Sequence, residues 1–133
     1  MNPTLKAAYH TVRFSSASWL QNPPSTFVIV TAFNPKGRNA PLSRNQHADQ
    51  TLLGYLKHHK LSHTRITGMS PDQKHQEPGW GIEVDEEEGL KIGVRFQQEA
   101  IFVVINHQVS LVSCSNPQER STLGEWAHLQ VEP

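Results

Sequence analysis

The sequence predicts an α/β (α+β) fold: a single two-layer domain with a mixed or antiparallel sheet and two main helices packed mainly on one face. Three stretches carry this expectation. Phe27–Phe33 (FVIVTAF) is β-branched and aromatic with little alternation, as a strand buried on both faces would be. Ser43 followed by Gln46 has the form of a capping box, and Ala48, Leu52, Leu53 and Leu56 then share one helical face, which predicts a helix over 43–60. Two apolar runs, 100–105 and 109–114, flank Asn106-His107-Gln108 as the arms of a hairpin.

The remaining elements follow in chain order. Thr4 can cap a short helical turn on which Leu5, Ala8 and Tyr9 share a face. Val12 and Phe14 alternate with polar neighbours, as on a half-buried edge strand. Asn22-Pro23-Pro24-Ser25 excludes a helix, so 15–26 is a loop, with Trp19 covering the edge of the core. Asn34-Pro35 ends the 27–33 strand, since proline lacks a ladder donor and asparagine bonds its own turn. Lys57, His58, His59 and Lys60 suit the negative end of the second helix. A strand is expected over 62–68, an exposed loop over 69–78, and a strand over 79–84 with Trp80, Ile82 and Val84 on one side. The 86–97 stretch alternates like a strand, yet Asp85 and Glu88 form a capping pair and acidic residues crowd the first turn, which favours a helix. Its Gly93 would let that helix approach the sheet closely. The domain is placed at 1–114, and 115–133 reads as an irregular extension with helical character near 119–129.

With 133 residues the chain can bury one ordinary core. Twelve basic residues balance 12 acidic ones, so net charge gives no reason to bind nucleic acid or an anionic membrane, although a local patch could. A lone cysteine, Cys114, cannot make an intramolecular disulfide, and no run approaches the ~20 apolar residues of a membrane span. A cytoplasmic protein is the expectation.

Several short motifs recur in one order: TAFNP at 31–35, Ser43 with Asn45, Glu77-Pro78 ahead of a strand, and RFQQEAIF at 95–102. Together with Tyr9, Thr11 and Phe14 they resemble the bacterial domain-of-unknown-function family 3293, over about residues 7–112. The chain departs from the family pattern at Gln97, where glycine is expected before Gln98. The resemblance implies a compact bacterial α/β protein and a helix over 86–97. It implies no activity. It also draws attention to Thr31, Asn34, Asn45, Glu77 and Gln98.

Candidate functional residues gather at the junction between the 27–33 strand and the 43–60 helix. Lys36, Arg38 and Arg44 surround Gly37 ahead of a helix N-terminus, where free N–H groups and the dipole attract anions. Asn34 and Asn45 add neutral donors and are expected to approach each other, but no P-loop spacing is present. The plainer alternative is a solvated loop whose asparagines close turns. Thr31, Asn34, Lys36, Arg38, Arg44, Asn45 and Gln98 are therefore the candidate ligand-binding residues, with Glu77 the candidate proton carrier. No HExxH or CxxC pattern occurs, and His58 and His59 are adjacent, so neither a metal nor a cofactor is expected. Cys114 reads as a small core residue and Trp80 as core rather than a stacking platform. The leading expectation is a non-enzymatic binding or regulatory module for an anionic small molecule or a protein partner. The alternative is a small hydrolase or transferase with Glu77 as general base. Homodimerisation through an unpaired sheet edge is a third option.

Overall fold

A computed structural model describes residues 3–131, with side chains from Ala7 onward. The elements are α1 (Pro3–His10), β1 (Arg13–Ser16), β2 (Thr26–Val30), α2 (Leu42–His58), β3 (His63–Met69), β4 (Gln76–Ile82), α3 (Glu86–Arg95), β5 (Ala100–Ile105), β6 (Gln108–Ser113) and β7 (Arg120–Glu125). Short 3₁₀ turns cover Pro35–Gly37 and Trp126–Leu129. The Thr4 cap and the Leu5 contact expected in α1 fall on side chains outside those described.

The fold is α/β. Seven strands form one curled antiparallel sheet in the order β1-β3-β4-β2-β5-β6-β7. The strand apolar on both faces, β2, lies at its centre, paired with β4 (Val28 opposite Ile82) and with β5 (Val28 opposite Val103). Its side chains divide by parity. Val28 and Val30 join Leu52 and Leu56 of α2, Ile92 of α3, and Trp80, Ile82, Ile101 and Val103 of the sheet. Phe27 and Ile29 point the other way, to Phe14, Ile66, Val104, Val109, Trp126 and Leu129. Among the described residues that second core includes no side chain of α2 or α3. The curl of the sheet, Trp19 and the Trp126–Leu129 turn enclose it. Gln130 bridges to Phe14, and the Val131 N–H donates to the Phe14 carbonyl at 2.9 Å, which covers the free edge of β1.

Several boundaries differ from expectation, each for a local reason. β2 stops at Val30 rather than Phe33, although Ala32 and Phe33 remain buried. α2 begins at Leu42 with Pro41 at its N-cap, so Ser43 lies inside the first turn and the expected capping box does not form. α2 ends at His58 because Lys60 turns left-handed (φ 55) and the Leu61 N–H reaches back to the Leu56 carbonyl at 3.0 Å. α3 ends at Arg95 in the same way: Gln97 is left-handed (φ 59) and the Gln98 N–H donates to the Gly93 carbonyl at 2.9 Å. At its other end the Asp85 carboxylate accepts from the Glu88 N–H at 2.9 Å, as the capping pair predicts. The loop expected over 69–78 shrinks, because Gln76–Pro78 pair with Thr67–Met69 in a β3–β4 hairpin. Pro78 is tolerated inside the sheet because the β2 ladder opposite β4 ends at Trp80, before the missing donor would be needed.

The largest correction concerns the expected irregular extension, whose described residues, 115–131, hold a strand and a 3₁₀ turn. β7 pairs with β6 along Arg120–Glu125, and Trp126 and Leu129 are buried. The polar composition hid this strand because β7 is an edge, held by backbone hydrogen bonds rather than by buried side chains.

Candidate functional site

Where β2 ends, Thr31 begins a chain of polar contacts. Its hydroxyl donates to the Pro78 carbonyl at 2.8 Å and accepts from the Phe33 N–H at 3.0 Å, which ties the exit of β2 to β4. Asn34 then turns left-handed (φ 51, ψ 61), a conformation asparagine tolerates better than most residues. Its N–H donates to Asn45 Oδ1 at 2.8 Å, and its own Oδ1 accepts from Asn45 Nδ2 at 3.0 Å and from the Ala40 N–H at 3.1 Å. Its remaining donor, Nδ2, reaches Glu77 Oε1 at 2.9 Å. Asn45, buried on the inner face of α2, is thus paired with Asn34 as expected.

Gln98 is a structural neighbour of this cluster. Its amide donates to the carbonyls of Phe33 and Phe96, each at 3.2 Å. Beside it the Lys36 N–H donates to the Gln97 carbonyl at 2.7 Å, and both residues are left-handed (φ 60 and 59). The glycine expected at 97 is therefore a backbone preference, and glutamine takes the same conformation at some cost.

Glu77 is half-buried on β4. It shares the parity of Gly79 and Gly81, and a Cβ at Gly81 would meet Ile66 and Trp19 of the second core. Burial raises its carboxyl pKa, partly offset by the bond from Asn34. Tyr9, edge-on to Phe102 at 5.8 Å, feels the same surroundings: burial first, then the charges of Glu77, Glu99 and Cys114, push its hydroxyl to about 12. Burial likewise raises the Cys114 thiol to about 11, so it stays protonated at neutral pH and serves as packing against Gly93. Lys36, Arg38 and Arg44 are exposed, and among the described residues no carboxylate pairs with them. Pro41 has no side chain that can cap, so among the described residues the start of α2 has no side-chain cap bond either. The described residues hold no group of three or more metal-ligating side chains.

One cluster escaped the sequence reading. Asp49 is buried at 5 % exposure on the inner stripe of α2, between Asn45 and Leu52. The Arg65 guanidinium grips both its oxygens at 2.8 Å, and Trp80 Nε1 donates to Oδ1 at 3.1 Å. Arg65 also lies over the Trp80 ring, 3.8 Å from its centroid, so Trp80 is core with one face committed to a cation. The available signal was a carboxylate on the face that Leu52 and Leu56 mark as buried. Above this pair runs a groove of about 500 Å³ between α2 and the β3–β4 hairpin, lined by Phe33, Leu42, Gln46, Gln50, Arg65 and Gln76 among others.

These features define a small α/β protein with a polar junction at the end of its central strand. The chain belongs to the family described as protein of unknown function (DUF3293), whose sequence model matches residues 30–101. The match takes in Thr31, Asn34, Asn45, Glu77 and Gln98, and it leaves Tyr9 and β7 outside. No curated protein and no solved structure matches the chain. Among the described residues no helix is long and apolar enough to cross a membrane.

Proposed function

We propose that this protein is a non-enzymatic binding or regulatory module that receives an anionic group, carried by a small molecule or a protein partner, at the β2–α2 junction. The observation that carries this reading is the division of labour in the loop. Asn34 and Asn45 spend their polar atoms on each other, on Glu77 and on the backbone, while Lys36, Arg38 and Arg44 stay exposed beside a helix start with no side-chain cap and, among the described residues, unpaired with a carboxylate. A held backbone with free cations loses little entropy on taking up an anion. Calorimetry against a nucleotide and oligonucleotide panel tests it. Replacing Arg38 and Arg44 by glutamine is expected to leave stability within about 1 kcal/mol, because exposed charges contribute little, and to weaken anion binding about tenfold. A wild type that binds no member of the panel, or a double variant that binds equally well, removes the anion site and leaves Asn34 as a turn-closing residue.

A second reading, a small hydrolase or transferase with Glu77 as general base, is favoured by the raised carboxyl and by its bond from Asn34. Among the described residues its printed side-chain partner is the amide of Asn34, which cannot act as a nucleophile, and this ranks it below the first. A cytoplasmic setting and pairing of two copies along a sheet edge accompany the leading reading as proposals.

A further inference from the structure

The Asp49–Arg65–Trp80 cluster and its groove are separate from the junction cations. We propose that this groove binds a neutral, planar, hydrogen-bonding ring of the nucleobase class, stacked on the face of the Arg65 guanidinium that turns away from Trp80. A guanidinium is flat and delocalised, and it stacks on rings as well as pairing with carboxylates. Here one face is taken by Trp80 at 3.8 Å, and the Nη edge is taken by Asp49 at 2.8 Å. The Arg65 side chain is nevertheless 40 % exposed and forms part of the groove wall. What it offers a visitor is therefore a rigid flat surface rather than a free charge. Asp49, nearly buried, neutralises it and holds it in plane, so the ligand that fits is uncharged.

The rest of the groove suits the same visitor. Phe33 and Leu42, the latter 62 % exposed, supply apolar surface. Gln46, Gln50 and Gln76, also in the groove lining, supply amides, each both donor and acceptor, that suit the edge of such a ring. At about 500 Å³ the space lies within the range of small-molecule sites. The ring could come from a free nucleoside or from single-stranded nucleic acid, and the two sources share the stacking chemistry.

The test is calorimetry of the full chain against the four ribonucleosides and against short single-stranded oligomers of the same bases. Wild type is expected to bind at least one nucleoside below about 1 mM. Tighter binding by the oligomer that persists in the Arg38/Arg44 double variant would assign the ring to a polymer, and equal or weaker binding in that variant to a free nucleoside. Arg65→Lys keeps a cation opposite Asp49 but loses the flat face, and is expected to weaken binding about tenfold. Gln46→Leu sits on an exposed helix position, so it keeps the fold and decides the matter if Arg65→Lys does not fold; it too should weaken binding several-fold. The Arg38/Arg44 double variant should bind nucleosides as wild type does, which separates this groove from the anion site. No binding of any nucleoside or oligomer, or unchanged affinity in a folded Arg65→Lys or in Gln46→Leu, overturns the proposal.

Discussion

Asn34 concentrates the junction into one residue. It holds a left-handed turn, pairs twice with Asn45, accepts from Ala40 and donates to Glu77. The side chain and the backbone angle can be separated by substitution. Asn34→Gly keeps the turn and loses the side-chain bonds, and should cost about 1–3 kcal/mol in urea denaturation. Asn34→Ala should cost about 1 kcal/mol more, because a Cβ disfavours φ 51. Equal losses would mean the turn relaxes. Glu77 answers to pH. Its folded-state pKa is raised, so the stability tied to its protonated form is fully present below the ordinary carboxyl value and is lost as pH rises through the raised one. Glu77→Gln keeps an acceptor for Asn34 and cannot ionise. Paired denaturation scans should show the two proteins alike in acid, with the variant gaining relative to wild type as pH rises. A difference that does not change with pH would show that the carboxylate is not desolvated.

At the scale of elements, α3 rests on the sheet through its glycines. A Cβ on Gly89 would stand 2.5 Å from Val28 Cγ1, and one on Gly93 would stand 2.7 Å from Ile101 Cγ2. Helix propensity alone would favour alanine at both, and packing opposes it. Gly54 on α2 is the control, with nothing within 4 Å of its would-be Cβ. Gly54→Ala should therefore stabilise by about 0.5–1 kcal/mol, whereas Gly89→Ala should destabilise by about 1–3 kcal/mol through overpacking. Both are read from denaturant midpoints, and a stabilised Gly89→Ala would show that α3 can lift off β2. The sequence marked Gly93 as a site of close approach, and the fold extends the reason to Gly89, one turn earlier.

For the whole molecule, Trp126 links distant parts of the chain. It is fully buried, packs 5.3 Å from both Phe14 and Phe27, and donates its Nε1–H to the Trp19 carbonyl at 2.7 Å. It thereby ties the stretch after β7 to the first strand, to the central strand and to the loop between them. Trp126→Ala should lose about 3–5 kcal/mol. Thermal unfolding should move as one transition, since both cores share β2. A separate early transition would show that the second core unfolds alone.

What the sequence by itself determined is local or periodic. The buried character of β2 on both faces, the α2 stripe, the Asp85 cap of α3 and the 100–113 hairpin each follow from residues a few positions apart, whose spacing encodes the pattern. The Asn34–Asn45 pairing was also legible, because a strand exit and the helix start that follows it are close in the chain. The tertiary structure alone decided the rest. β7 is an edge strand whose backbone bonds leave no apolar alternation to read. The Asp49–Arg65–Trp80 cluster joins a helix to two strands, across sequence separations no periodicity spans. Ser43 looked like a cap, but the N-cap falls two residues earlier, at Pro41, and no side-chain cap bond forms there among the described residues. In each case the deciding interaction is between segments that only the curled sheet brings together, or depends on which of two nearby residues the chain path admits as the cap.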